Sequence, residues 1–545
     1  MKINRFFRIL FCIVSLFLCS SLIASCNEKV DGTAQSDSNT PTEATEAETE
    51  KATSSNKKPS IQDKFNLSSK LDASVNTLPE YTGKPFDHVA VDLGDGSYMN
   101  IAKKTSLEEY EAYKKRLEEA GYELYTTNEI GENRYATYHN DSEIVNAMFF
   151  VQNHNAIMNL EGFRGTYEVR VTVDRKDTFG LPSLKEDNVY TATQPQMLTL
   201  ISDTYIEWPG RMGYVFQMSD GSFFIIDGGY TDGNQGESGG LRAPGISTGC
   251  HSSAPFVMEV LKKYAPDPEN ITIAAWLITH MHEDHFGAFI DLALNADYAE
   301  DKARITIENV IYSASCDENT KLASDKQLPW TRVFRRAVSN EGWGERIKNK
   351  VKAHPGQQFF LRDLEFTVYT SEDLLHFGTF NPYEDGKYIN NTSIVTMVKF
   401  MGKDMLFLAD SSAANNPNVL TPIYNTELKA DILQVAHHGY ADTDAGTVLK
   451  YVKPEIVFWP VYAQHFYGYE IGYMEKNNKY GGVKNVGFNS VLFADGIRHY
   501  VHGSTNLTFL DFENWIPEPT DDPLQIYDPK TWVPNENYMK ENNYK

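Results

Sequence analysis

The chain has 545 residues, 41% of them apolar, so its length predicts more than one domain and its composition supplies enough apolar side chains to fill real cores. Lys and Arg number 50 against 74 Asp and Glu, a net charge of −24 that opposes attraction to phosphate backbones and anionic lipid surfaces and argues against a nucleic-acid-coating role. Five cysteines in a chain this long exclude a disulfide framework.

Lys2, Arg5 and Arg8 precede an apolar run from Ile9 to Ile23, the layout of an export signal. The run is short for a bilayer span, and the alternatives are a transmembrane helix or an ordinary secretory signal. Ala24-Ser25-Cys26 resembles the lipobox of bacterial lipoproteins. That resemblance implies a signal peptide over residues 1–26, a lipid on Cys26, and a protein held at the extracytoplasmic face of the cell membrane. Cys12 and Cys19 leave with the signal, while Cys250 and Cys316 either pair or remain as small buried hydrophobes. Residues 27–76 begin with a Thr/Glu/Ala/Ser-rich stretch that lacks large apolar side chains after Val30, which predicts a disordered linker.

Residues 77–181 predict a small α+β domain. FDHVAVDLG and SYMNIAKK read as strands around a turn at Gly94-Asp95-Gly96. Thr105-Ser106 ahead of Glu108-Glu109 marks a helix start, and Leu107, Tyr110, Tyr113, Leu117 and Ala120 recur at helical spacing before Gly121 stops it. YELYTT, NRYATYHN, EIVNAMFFVQN and YEVRVTVDR follow as strands of an antiparallel sheet. No catalytic constellation occurs in this part, so binding or spacing is its expected role.

A second domain is predicted over residues 189–512, with a Pro/Asp/Asn-rich tail at 513–545. It opens with the short strands QMLTLIS, YVFQMSD and SFFIIDGG. Further on, Ile271–Ile278 reads as a buried strand and Phe286–Leu294 as a helix, which places T-H-M-H-E-D-H-F-G on the loop between them. His280, His282, Asp284 and His285 form H-x-H-x-D-H, four metal-type donors within six positions at a rigid strand end. Imidazoles suit borderline cations, the carboxylate is a harder donor, and ligands must be held about 2.0–2.2 Å from the ion. Glu283 is expected to point away from the metals as a surface or helix-start carboxylate.

H-x-H-x-D-H after an apolar strand, with Phe223-Phe-Ile-Ile-Asp227-Gly-Gly229 upstream, resembles the metallo-β-lactamase fold superfamily over about residues 190–510. The resemblance implies an α/β fold, the αβ/βα four-layer sandwich, whose metal cleft lies at one edge of two facing sheets. It also implies an aspartate and a histidine downstream, which Met405-Leu-Phe-Leu-Ala-Asp410 and Asp431-Ile-Leu-Gln-Val-Ala-His437-His438-Gly439 supply. One metal would then take His280 and His282, the other Asp284, His285 and His437, with Asp410 bridging and His438 behind the ligands or facing substrate. Asp284 and Asp410 would orient the attacking water, and Asp227 would support the ligands.

Another histidine is expected some twenty residues before Asp410, where this chain has Asn390-Asn391-Thr392-Ser393. That segment and D-I-L-Q-V-A-H-H-G-Y resemble the hydrolase domain of the competence DNA-uptake proteins. The gap at the first metal falls to water or Asn391. One or two divalent ions are expected, Zn²⁺ first, with Mn²⁺ or Mg²⁺ better matched to an amide oxygen. Tyr440, Tyr462 and His465, in an aromatic run after the last ligand, are candidates for the pocket wall, whereas His499 and His502 read as structural.

These features converge on a cell-surface metal-dependent hydrolase acting on a phosphoester in a small-molecule or cell-envelope substrate. The other readings are a single-strand nuclease, which the acidic charge opposes, and a non-enzymatic surface binding protein.

Overall fold

A computed structural model describes residues 71, 73–151, 167–201, 211–232, 251–314, 328–375, 389–412, 415–439, 445–460, 497–501 and 507–512. The first sheet contains β1 (His88–Gly94), β2 (Ser97–Thr105), β3 (Glu123–Ile130), β4 (Asn133–His139), β5 (Glu143–Phe150) and β6 (Tyr167–Arg175) in the order β1-β2-β6-β5-β4-β3. All of its pairings are antiparallel. Asp95 and Gly96, at φ 57° and 80°, turn β1 into β2 as an Asp-Gly hairpin, a conformation that matches strand twist and favours glycine at its second position. Helix α1 (Leu107–Glu119) starts where Ser106 Oγ accepts from Glu109 N at 3.1 Å, one N-terminal donor satisfied by a capping side chain. Its buried stripe is narrower than its periodicity predicts: Tyr110, Tyr113 and Leu117 are buried, while Leu107 and Ala120 at the two ends are exposed.

Two seven-stranded sheets follow. One contains β7 (Met197–Leu200), β8 (Gly213–Gln217), β9 (Phe223–Asp227), β10 (Ile271–Leu277), β11 (Ile305–Tyr312), β12 (Ile347–Lys352) and, from the far end of the chain, β20 (Leu507–Phe509), in the order β12-β11-β10-β9-β8-β7-β20. The other runs β13-β14-β15-β16-β17-β18-β19, from β13 (Gln358–Leu361) and β14 (Leu364–Thr370) through β15 (Val395–Phe400), β16 (Lys403–Phe407), β17 (Ile432–Gln434) and β18 (Ile456–Trp459) to β19 (Arg498–Val501). Strand β10 is parallel to both its neighbours and covered on both faces, which is why its sequence is a continuous apolar run rather than an alternation.

The sheets face each other across one apolar core. Phe224 stacks on Phe366 with ring centroids 4.9 Å apart, and Tyr214 meets Phe407 edge-on at 4.8 Å. Helices α2 (Ala254–Tyr264), α3 (Gly287–Leu294), α4 (Ala299–Arg304) and α5 (Leu328–Ala337) belong to the first of these sheets, and α2, α3 and α5 pack Leu261, Phe289 and Phe334 into one cluster with Ile225, Trp276 and Val310. Helices α6 (Thr421–Tyr424) and α7 (Ala445–Val452) pack Tyr424 and Leu449 with Leu406, Leu433 and Val457 of the second. Each fully buried side chain of this size contributes roughly 1.5–3 kcal/mol relative to exposure. The layers therefore run helix, sheet, sheet, helix, the αβ/βα sandwich that the resemblance implies.

The N-terminal sheet joins that outer cluster. Ile130, Tyr135, Met148 and Phe150 share it with α6 and α7, Tyr135 Oη lies 3.0 Å from Tyr424 Oη, and Asn128 Nδ2 donates to Gly356 O at 2.9 Å. Beside it lies a buried charged network. His354 meets Asp373 through Nδ1 at 2.5 Å and Asp174 of β6 through Nε2 at 2.7 Å, and Arg170 reaches both Glu168 and the Asp373 carbonyl. Lys352 Nζ donates to Leu93 O at 2.7 Å. Burial disfavours a charged imidazole, but the two carboxylates outweigh it and push His354 up to about 10.

Candidate metal centre

Strands β9, β10, β16 and β17 deliver their carboxyl ends to one rim, because β9 is parallel to β10 and β16 to β17. Ile394 N donates to Thr279 O at 3.0 Å, tying the two sheets together there. Thr279 through Phe286 form a tight turn with His285 N donating to His282 O at 3.1 Å. Gly287 then begins α3 with its amide donating to Gly229 O at 2.7 Å. A β-carbon on Gly287 would stand 1.9 Å from the Tyr230 carbonyl carbon and 2.3 Å from Gly229 O, so only glycine permits this approach.

Two sets of donors assemble, each with its ligand atoms within 4.8 Å of one another: His280, His282 and Asp410, and Asp284, His285 and His438. Asp410 serves both. Its Oδ2 lies 3.9 Å from His280 Nε2, while its Oδ1 lies 3.2 Å from His285 Nε2 and 3.6 Å from His438 Nε2. Asp284 Oδ2 is 3.2 Å from His438 Nε2. Donors sharing a tetrahedral ion at about 2.0–2.2 Å are separated by about 3.3–3.6 Å, so these spacings suit metal coordination.

Behind the donors lies a supporting layer. His285 Nδ1 donates to Asp227 Oδ2 at 2.8 Å, His438 Nδ1 donates to Pro460 O, and His280 Nδ1 sits 3.2 Å from Thr279 Oγ1 and 3.3 Å from Ser393 Oγ. Each of these rings thereby presents Nε2 to the cleft, the orientation that metal-binding histidines owe to a partner on the other nitrogen. Asp227 also accepts from Thr279 N at 2.9 Å and from Thr279 Oγ1 at 2.8 Å, fixing the start of the motif loop.

The electrostatics divide the donors into neutral rings and a charged cluster. Burial and then the neighbouring imidazoles hold His280 well below its ordinary 6.5, and burial brings His282 down to about 4, so both rings are neutral and their lone pairs available. Burial works against ionised Asp284 and Asp410, yet His285 and then His438 overcome it and keep both carboxyls below the ordinary range. Burial likewise works against a charged His285, but Asp410, Asp227 and Asp284 draw it well above 6.5. His285 Nε2 and Asp410 Oδ1 are buried and face each other 3.2 Å apart as an ion pair, with no other hydrogen-bond partner among the described residues. Two such atoms facing each other fit a shared divalent ion, which would satisfy both.

The structure differs from the sequence expectation at the histidine pair. His438, rather than His437, joins Asp284 and His285; His437 Nε2 instead lies 3.7 Å from Asp410 Oδ2 and 3.1 Å from Asn390 Nδ2. The cause is the backbone, since both residues have positive φ, 46° and 53°, and the turn they make sends consecutive side chains to neighbouring places instead of opposite faces. Asn391 is not turned to a donor set: its Oδ1 accepts from Ser412 Oγ. Glu283 is half-buried, and burial together with Asp284 pushes its carboxyl up to about 7, which a plain surface position would not do. Thr279, Asn390 and Ser393 are the supporting residues that the donor motif does not single out; Thr279 opens the motif stretch itself, and the Asn-Asn-x-Ser segment is the signal for the other two. Tyr440, Tyr462, His465, Cys26, Cys250, Cys316 and His502 lie outside the described residues.

No family profile and no curated protein sequence matches the chain. Among solved structures it is similar to CmlA, a diiron β-hydroxylase from Streptomyces venezuelae, at 12% identity and a TM-score of 0.27 over 49% of this chain and 44% of that one. It is also similar to a HARLDQ-motif mutant metallo-β-lactamase from Cronobacter sakazakii, at 12% identity and a TM-score of 0.25 over 51% and 83%. A third is MEM-A1, a subclass B3 metallo-β-lactamase isolated from a soil metagenome library, at 15% identity and a TM-score of 0.23 over 47% and 83%. The chain spans less than half the length of the hydroxylase. Similarity of this size carries no argument about activity. The fold is defined by its own strand order, and the metal centre by its own donors.

Proposed function

We propose that this protein is a metal-dependent hydrolase of the metallo-β-lactamase superfamily, acting on a phosphoester-type substrate at the cell surface. The observation that carries the reading is Asp410, one buried carboxylate whose two oxygens face two separate sets of imidazole and carboxylate donors. His280, His282 and Asp410 would hold one divalent ion, and Asp284, His285, His438 and Asp410 the other. Such ions, when bound, lower the pKa of a coordinated water towards about 7 and polarise the scissile group.

The chain's own residues do the rest. Asp227, Thr279, Ser393 and the Pro460 carbonyl hold the rings of His285, His280 and His438, so that these donors are oriented towards the cleft before any ion enters. His280, His285, Asp410 and His438 form a buried floor, whereas the side chains of Asp284 and His437 are 16% and 19% exposed and mark the open side that a substrate would approach. The Asn-Asn-x-Ser and His-His-Gly segments favour a phosphoester over a lactam. The signal-like N-terminus and Cys26 favour a lipid anchor outside the cytoplasmic membrane.

The test is turnover by the protein beginning after Cys26, with Zn²⁺ or Mn²⁺, on phosphodiester, phosphomonoester, thioester, lactam and labelled single-stranded DNA. Metal-stimulated cleavage of a small phosphoester is expected. Cleavage of DNA alone would make it a nuclease, and no metal-stimulated turnover anywhere would leave a binding protein.

A further inference from the structure

The first donor set is one imidazole short. His280, His282 and Asp410 contribute three atoms, and the segment where another histidine is expected carries Asn390 and Asn391. We propose that His437 supplies the missing imidazole, so that two consecutive histidines serve two different ions: His437 with His280, His282 and Asp410, and His438 with Asp284, His285 and Asp410. The inference rests on the metal-centre reading above and assigns a ligand that the reading lacks.

Two observations carry it. The first is which oxygen each ring faces: His437 Nε2 lies 3.7 Å from Asp410 Oδ2, the oxygen that His280 Nε2 approaches to 3.9 Å, whereas His438 and His285 face Oδ1. His280 Nε2 and His282 Nδ1 lie 3.1 Å apart, and His437 stands just outside the tight set of His280, His282 and Asp410, so its ring would close on an ion from the open side. The second is the backbone, because positive φ at two successive histidines is a strained arrangement that persists where function requires it. In an extended strand the two rings would point to opposite faces; here their centroids are 6.0 Å apart, close enough to serve adjacent ions.

Asn390 sets what an ion must displace. Its Nδ2 donates to His437 Nε2 at 3.1 Å, so without an ion the amide takes the lone pair that an ion would use and holds the ring facing the cleft.

The experiment is metal binding to the purified, chelator-stripped protein, read by elemental analysis and by Zn²⁺ titration against a chromophoric chelator. Wild type is expected to bind two equivalents. His437→Ala should keep one at unchanged affinity while the other weakens at least tenfold, and His438→Ala should weaken the opposite one. Two equivalents at wild-type affinities in His437→Ala, or saturation of wild type at one, would overturn the inference and leave the hydrolase reading standing. Wild type that binds no metal would instead overturn that reading. Should His437→Ala unfold, as urea melts of the metal-free proteins would reveal, His437→Gln keeps an acceptor for Asn390 and is judged by the same two outcomes.

Discussion

Asp227 Oδ2 accepts the Nδ1 proton of His285 at 2.8 Å while the same carboxylate holds Thr279 through both its amide and its hydroxyl. One side chain therefore sets the tautomer of a donor and the path of the loop that carries three others. Asp227 itself has φ 58°, a conformation that asparagine also tolerates. Asp227→Asn should keep the fold, with a melting temperature within a few degrees of wild type, yet lower Zn²⁺ affinity about 10–100-fold. Titration of the chelator-stripped variant tests this, and unchanged affinity would remove Asp227 from its supporting role.

Asp410 makes a different prediction from every other donor. Because its two oxygens face different sets, Asp410→Asn should weaken both metal positions, each by more than about a hundredfold. His282→Ala should weaken only one. Elemental analysis showing a single lost equivalent in Asp410→Asn would refute a bridging carboxylate.

Gly287 is a steric prediction. Its added β-carbon would fall within 2.3 Å of three backbone atoms of the 229–231 segment, none of which is a flexible side-chain end. Gly287→Ala should lower stability by about 3 kcal/mol in urea melts and displace the adjacent motif loop. A variant as stable as wild type would mean that the 229–231 segment yields more easily than its hydrogen bonds suggest.

His354 predicts how stability depends on pH. Its folded value, about 10, lies above the unfolded 6.5, so the charged ring stabilises the fold fully below 6.5 and loses that contribution progressively as pH rises from 6.5 through about 10. The loss should amount to a few kcal/mol. Urea midpoints at pH 6, 8 and 10 should fall for wild type and fall less for His354→Gln, in which no imidazole remains to titrate. Equal slopes for the two proteins would assign the alkaline loss to other groups.

How much of this was legible depends on how far apart the interacting residues lie in the chain. H-x-H-x-D-H crowds its donors into six positions after an apolar strand, and the parallel strands β9, β10, β16 and β17 follow from apolar runs that end in Asp227, the motif loop, Asp410 and the histidine pair. The choice between His437 and His438 was not legible, since it depends on two positive φ angles that no residue preference demands of histidine. Nor was the His354 network, whose members Asp174 and His354 are 180 positions apart and meet only after two sheets have formed. Long polar contacts of that kind leave no periodicity to read.

The shared cluster between Tyr135, Phe150 and the α6 to α7 layer bears on how the protein can be divided. Although the N-terminal sheet holds none of the metal donors, it covers one outer face of the sandwich and supplies Asp174 as a counter-charge to His354. Deleting everything before residue 190 would uncover apolar surface over α6 and leave a buried imidazolium with one carboxylate instead of two. Such a truncated chain should aggregate on expression although every donor remains in it. The smallest separable unit of this protein is thus larger than the domain that carries the donors, and gene fusions or domain grafts that respect only the motif would lose the protein.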